Sequence, residues 1–466
     1  MTLWTPQDAA QAMAATVSGA AIPISGISID TRTLEKGDLF FALKDVRDGH
    51  DFVSAALAKG AAGAVVLRAR LKEFEGQGAL YGVDDVLGAL VALGLAARAR
   101  VSAQIVAVTG SVGKTGTKEA LKALLLRQGR THASVASYNN HWGVPLTLAR
   151  MPADTQFGIF EIGMNHANEI TPLTKMVRPH VAVITAIAPV HLENLGSLEA
   201  IADAKGEIFD GLQPDATAIL PADSPFASRL AAHAMRNHAT RIRRFGESDT
   251  ADPRLVAVTL DETGSDAIVA MDGAEFPVRF GSPGKHTALN GLAVLAAIAA
   301  LGGDVKQAAQ DFATVTPPSG RGQRAVLGGI TLIDESYKAN PASMRAAFSV
   351  LGSAAKTGRK IVALGDMLEL GPDEIAMHRD LAPDLAQHGI DRVYAAGARM
   401  KHLFDALPDH QRGAWAPDAT ALTPLVLNAL KDGDVIMIKG SNSSRMSHIV
   451  RAIKDRFENP QTGGEA

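Results

Sequence analysis

Cysteine is absent from the 466 residues. Its absence excludes disulfides, thiolate metal sites, iron–sulfur clusters and a cysteine nucleophile. Aromatic side chains make up only 5%, with three Trp, too few for a platform on which single-stranded nucleic acid would stack. Neither sign of charge dominates: 46 Lys and Arg face 49 Asp and Glu, a formal net charge of −3. A nucleic-acid partner would require a basic surplus, so none is expected. Long apolar runs are also missing. The longest, Leu292 to Leu301, is roughly half the ~20 residues of a membrane span. The opening Met1-Thr2-Leu3-Trp4-Thr5-Pro6 lacks the basic stretch and apolar core of a secretory signal, and Thr5-Pro6 reads instead as a helix cap and first turn. A cytoplasmic chain without a membrane span is the expectation.

What is present is ordinary globular composition, 47% hydrophobic and 20% charged. At about 150 residues per domain the length suggests roughly three domains. Residues 1–100 read as a small α/β unit, with strands at Gly26–Asp30, Asp38–Ala42 and Ala62–Leu67 and helices at Phe52–Lys59 and Val86–Arg100. Residues 101–315 repeat strand, turn and helix, with strands at Gln104–Val108, Phe157–Phe160, Val181–Ile184 and Ala216–Leu220. This alternation predicts a mostly parallel sheet with helices on both faces. Arg241–Phe280 reads as an antiparallel excursion turning at Asp272-Gly273, ahead of a helix over His286–Leu301. Thr316-Pro317-Pro318-Ser319-Gly320 marks a linker. After it, residues 316–466 resume the alternation as a Rossmann-like α/β domain, with strands at Ile330–Ile333, Lys360–Leu364, Arg392–Ala395 and Asp434–Ile438.

Ligands of open α/β sheets bind beyond the carboxyl ends of the strands, so the residues after each strand are the candidates. After Gln104–Val108 comes Gly110-Ser111-Val112-Gly113-Lys114-Thr115. A glycine-rich turn leading into a helix presents backbone N–H groups to phosphate. Lys114 would neutralise β/γ oxygens and the Thr115 hydroxyl would ligate Mg²⁺. The spacing is G-x-x-G-K-[ST]; Ala107 occupies the first glycine position of the full pattern. Glu161 and His191 follow two further strands. Each alone is as readily a solvated or structural group, but together they suit a metal–nucleotide site. Lys205, between Asp203 and Glu207, reads as an exposed helical lysine. Asn290 would read an adenine edge or cap a helix. Arg321 and Asp334 would face a nucleotide from the last domain and complete a cleft. Lys439 would offer a charge to a carboxylate ligand.

These residues, in this order, resemble the Mur ligases, the ATP-dependent amino-acid ligases of peptidoglycan synthesis. The resemblance covers nearly the whole chain. It rests on Asp30-Thr31-Arg32, Asp48-Gly49-His50-Asp51-Phe52, Gly110 to Thr115, Asn139-Asn140-His141-Trp142-Gly143-Val144-Pro145 and Glu161-Ile162-Gly163-Met164-Asn165. The last domain adds Ser336-Tyr337, Ala339-Asn340-Pro341, Leu364 to Gly371 and Lys439-Gly440-Ser441. The resemblance implies that Gly110, Ser111, Val112, Gly113 and Lys114 hold the ATP phosphates and that Thr115, Glu161 and His191 serve Mg²⁺. It implies a carbamylated Lys205, whose added CO₂ turns a cation into a carboxylate-like ligand, and makes Lys114, Lys205 and His191 the catalytic residues. Asn290 would contact adenine, and Arg321 and Asp334 would reach the nucleotide. Thr31 and Arg32 would hold the uridine diphosphate end, while Asn139, Asn140, Tyr337 and Asn340 would bind substrate.

The activity implied is ATP-dependent joining of D-alanyl-D-alanine to UDP-MurNAc-tripeptide through an acyl phosphate, by a monomer. The alternatives are addition of a diamino acid to UDP-MurNAc-dipeptide, or an inactive nucleotide-binding paralogue. The diaminopimelate-adding ligases carry Asp-Asn-Pro-Arg, of which only Asp252-Pro253-Arg254 is found, before the linker. A folylpolyglutamate-synthase-like enzyme would leave the first-domain motifs unexplained. Two positions depart from the family pattern. Lys338 replaces the first Asn of Tyr-Asn-Ala-Asn-Pro, and Asn168 stands where Gly is usual, a position where a positive φ would be tolerated.

Overall fold

The computed structural model describes residues 2–190, 192–261, 263–354 and 358–458. Four sheets organise the described residues. The first has five strands in the order Thr16–Ser18, Leu80–Val83, Gly63–Leu67, Asp38–Phe41, Gly26–Ser28, parallel except for its first pair. Helix Pro6–Met13 begins where expected: Thr5 accepts from Asp8 N and proline opens the first turn.

The second sheet is wholly parallel. Its order is Ala239–Phe245, Ala216–Pro221, Val181–Ile184, Gln104–Thr109, Phe157–Glu161, Thr131–Ala133. Its inner strands are buried on both faces and so read as continuous apolar runs. Register sets Val108 beside Glu161 and Thr109 beside Ile184. The carboxyl ends of three neighbouring strands therefore deliver Gly110, Glu161 and Thr185 to one edge.

Residues 241–245 correct the sequence reading, because they close the parallel sheet rather than open the antiparallel one. Ala239–Phe245 lies at the sheet edge with its five middle residues at least partly exposed, so it lacks the continuous apolar run of the inner strands. The antiparallel sheet is Arg254–Leu260, Ser265–Met271, Ala274–Phe280. Its hairpin turns at Asp272 and Gly273, both at positive φ, as a two-residue turn of the primed type requires. Helix Lys285–Ala300 lies between the two sheets, sharing one core with Val106, Val108 and Ile219 on one side and Leu255, Val269 and Phe280 on the other. Burial all round explains its unbroken apolar run. Among the described residues no helix is long and apolar enough to cross a membrane.

The last sheet runs Gln323–Leu327, Ile330–Glu335, Val435–Lys439, Lys360–Gly365, Arg392–Ala396, Arg412–Ala416, antiparallel only at its first pair. The architecture is α/β in three parts: a small α/β unit, a P-loop parallel sheet and a Rossmann-like sheet.

Candidate active site

The turn after strand Gln104–Thr109 is shaped by two glycines. Gly110 has φ +149° and Gly113 φ +87°, values that L side chains rarely adopt. A Cβ on Gly110 would collide with Thr185 Oγ1, and one on Gly113 would meet the Asn290 amide at 2.7 Å. The turn is pinned from the neighbouring strand: Thr185 Oγ1 donates to the Val112 carbonyl (2.5 Å), and Ser111 Oγ donates to the Ala188 carbonyl (3.0 Å). Gly113 leads into helix Lys114–Leu125, whose N-terminus faces the turn. Lys114 Nζ donates to the Gly110 carbonyl (2.6 Å).

Glu161 lies beside this turn, 1% exposed. One carboxylate oxygen accepts from Thr115 Oγ1 (2.8 Å), the other from Asn139 Nδ2 (2.7 Å). A buried carboxylate and a hydroxyl are oxygen donors that suit a hard divalent cation. Among the described residues no three His, Asp or Glu gather as a metal cage. Mg²⁺ is usually held by one or two carboxylates together with substrate phosphates. His191 lies outside the described residues.

Lys205 is not the exposed lysine its sequence neighbours suggest. It ends helix Leu198–Gly206 at 1% exposure. Burial pushes its ammonium well below the usual lysine range, and the charges bearing on it, Lys114 and Lys338, are cations that push the same way. Its signal is weak because solvent-facing Asp203 pairs with Arg229 and Glu207 turns inward to the residues opening helix Ile170–Val177.

The residues expected from the last domain divide. Arg321 reaches across to Ser137 Oγ (3.2 Å) and lies over the Tyr337 ring at 4.3 Å. Asp334 instead serves its own sheet: Oδ2 accepts from Gly320 N (3.0 Å), Oδ1 from Ser336 N and Oγ. Asn340 caps helix Pro341–Gly352 through its Oδ1, while its Nδ2 is buried without a partner among the described residues. Lys439 is spent within the fold, donating to Glu335 (3.2 Å) and the Lys338 carbonyl (2.9 Å).

Thr31 and Arg32 sit apart from the phosphate turn. They line a cavity of about 840 Å³ with Tyr138, His141 and Trp142. Arg32 is 84% exposed and pairs with Asp30. The loop from Tyr138 to Trp142 therefore joins two sites: its rings face the cavity while Asn139 grips Glu161. Asn140 accepts from Gly143 N (2.9 Å) and so opens the helix that follows.

Three stretches match described domains: residues 23–122 the Mur ligase family catalytic domain, 108–298 the Mur ligase middle domain, and 320–442 the Mur ligase glutamate ligase domain. The UDP-N-acetylmuramoyl-tripeptide–D-alanyl-D-alanine ligase of Rickettsia prowazekii is 32% identical over 449 residues, 96% of this chain and 99% of that one. The chain belongs to the Mur ligase family. The ligase of the same name from Bacillus subtilis is 33% identical over 94% of each chain. Among solved Mur ligases, MurF from Acinetobacter baumannii superposes with a TM-score of 0.84 at 29% identity, covering 97% of this chain and 99% of that one. MurF ligase from Thermotoga maritima, solved with ADP, gives 0.79 at 25% identity over 93% and 98%.

Sequence reasoning does not name every residue of this Mur ligase site. Thr185, directly after strand Val181–Ile184, falls under the same strand-end rule that points to His191 a few residues on. Ser134, which accepts from Glu161 N (3.3 Å), and Lys118, fully buried, paired with Glu119 and donating to the Ser134 and Ala136 carbonyls, are not singled out by sequence because the bonds that tie them to the site run to backbone atoms far along the chain.

Proposed function

We propose that this chain joins the amine of D-alanyl-D-alanine to the terminal carboxylate of UDP-MurNAc-tripeptide, cleaving ATP to ADP and phosphate. The observation that carries the reading is the meeting of the Lys114 turn with Thr115, Glu161 and Asn139 in a chain related over 96% of its length to a tripeptide–D-alanyl-D-alanine ligase. Its working parts divide at 1–100, 101–315 and 316–466: substrate handle, nucleotide platform and closing domain.

The polyphosphate of ATP would lie on the turn from Gly110 to Thr115, with Asn290 beside Gly113 toward the nucleoside. Thr115 and Glu161 would hold Mg²⁺, which when bound supplies charge neutralisation at the phosphates. Lys114 would leave the Gly110 carbonyl for the charge that develops on the transferred phosphoryl group. A substrate carboxylate oxygen attacks the γ-phosphorus and the bond to ADP breaks. The acyl phosphate so formed is a far better electrophile than a carboxylate. The amine then attacks the acyl carbon, loses a proton and expels phosphate. Arg321, reaching over from the last sheet, would help keep water from the intermediate by closure. The cavity at Thr31 and Arg32 would take the uridine diphosphate end, and Tyr337 and Asn340 the substrate at the other. Lys205, buried without a counter-charge among its titrating neighbours, suits conversion to a carbamate, which needs a neutral amine to attack CO₂.

The test is phosphate release from ATP and Mg²⁺ with UDP-MurNAc-tripeptide and D-alanyl-D-alanine, against UDP-MurNAc-dipeptide with a diamino acid. Release in the first mixture alone, with a pentapeptide product, is expected. Release in the second alone would move the chain to the preceding ligation. Release in neither, with ATP bound, would make it a nucleotide-binding paralogue.

A further inference from the structure

Lys338 belongs to the last sheet's domain, yet its ammonium lies on the phosphate turn of the central one. Nζ donates to the Ser111 carbonyl at 3.0 Å. Lys114 Nζ occupies the adjacent Gly110 carbonyl at 2.6 Å. Two lysines from different domains thus rest on consecutive carbonyls of one turn. A neutral carbonyl is a weaker partner for an ammonium than a phosphate oxygen. The main chain of Lys338 is held in place from behind, its carbonyl accepting from the buried Lys439, which Glu335 also engages. The guanidinium of Arg321 adds a third cation to the seam. The carboxylates bearing on Lys338 are Glu161 and Glu369.

We propose that Lys338 is a second phosphate-binding lysine, brought by the last domain to the terminal phosphate of ATP beside Lys114. The inference rests on the ligase reading above. Lys114 is the residue placed to reach the β/γ oxygens, and its charge is the strongest one bearing on Lys338. The neighbouring Lys114, then burial and Arg321, hold the ammonium down to about 7 in the protein without nucleotide. A bound polyphosphate reverses that balance. The position usually occupied by Asn in this motif therefore faces nucleotide here rather than the acceptor dipeptide.

The experiment measures equilibrium affinity for ATP and for ADP, with Mg²⁺, in wild type, Lys338→Met, Lys338→Gln and Lys338→Arg. It also measures KM for D-alanyl-D-alanine, and thermal unfolding confirms that each variant is folded. Loss of one charge-assisted contact should weaken ATP binding about tenfold or more in the Met and Gln variants. ADP binding should move much less, the dipeptide KM should stay unchanged, and Arg should restore ATP affinity. Unchanged ATP affinity in folded Met and Gln variants overturns the inference. So does an equal loss for ATP and ADP, or a rise confined to the dipeptide KM. Failure of wild type to bind ATP at all would instead bring down the ligase reading.

Discussion

A lysine buried to 1% exposure must lose its charge, gain a partner or be chemically changed. Among the described residues the charges that bear on Lys205 are cations, Lys114 and Lys338. Burial and both cations favour the neutral amine, the form that can capture CO₂. A carbamate there would answer both lysines with a negative charge. Lys205→Ala should abolish ligation, with partial recovery on adding short carboxylates such as formate or acetate. Wild type incubated with ¹³C-bicarbonate should show a carbamate resonance that the variant lacks. Full activity of Lys205→Ala without added carboxylate would refute the role. The same residue marks where sequence reasoning stops. Its neighbours Asp203 and Glu207 suggest a wet helix face, and only the packed structure reveals that Ile201, Ala202 and Ala204 bury the turn with it. Asn168 shows the opposite case: a tolerance of positive φ is readable from the residue type, and it sits at φ 68°.

At the scale of the element, Asn340 separates two roles that a single substitution would confuse. Its Oδ1 accepts from Ser343 N while Ser343 Oγ accepts from Asn340 N, a reciprocal cap on helix Pro341–Gly352. Its Nδ2 is buried and unpartnered among the described residues, and so available to substrate. Asn340→Ala should remove both, costing about 1 kcal/mol of stability in urea unfolding. Asn340→Ser keeps an oxygen for the cap and has no amide donor. It should hold stability within a few tenths of a kcal/mol while raising the dipeptide KM. If Asn340→Ser leaves the KM at the wild-type value, the residue is a cap only.

Long helices are legible in the sequence, Lys114–Leu125 by its periodicity and Lys285–Ala300 by its unbroken apolar run. Most strands that escape notice are short or peripheral, although Leu80–Val83, an inner strand buried at all four positions, escapes as well. Thr16–Ser18 is exposed at all three positions, and Thr131–Ala133 and Arg412–Ala416 lie at sheet edges. Edge strands bury too little to impose a pattern on their residues.

Across the whole molecule, the three parts are joined unequally. The first part and the central one share a core: Leu146 and Ala149 lie in the cluster of Trp4, Leu39, Tyr81 and Leu90. Arg98, on helix Val86–Ala99, adds a buried bond to the Val177 carbonyl at 2.7 Å and a half-buried one to the Arg178 carbonyl at 2.8 Å. The last part keeps its apolar cores to itself. It reaches the central part with cations, Lys338 on Ser111 of the phosphate turn and Arg321 on Ser137. Shared apolar cores move as one body, whereas a polar seam permits rotation. Nucleotide should therefore move the last part against a rigid pair. The absence of native cysteine lets this be measured directly, because any introduced thiol is unique to its site. Dyes on Met235→Cys and Val326→Cys, residues 60% and 78% exposed, report the polar seam. Dyes on Ile22→Cys and Met235→Cys report the shared core. ATP with Mg²⁺ should change energy transfer in the first pair and leave the second pair where it was. Equal changes in both would mean that the central part, not the last, is the moving body, and the division drawn from the cores would be wrong.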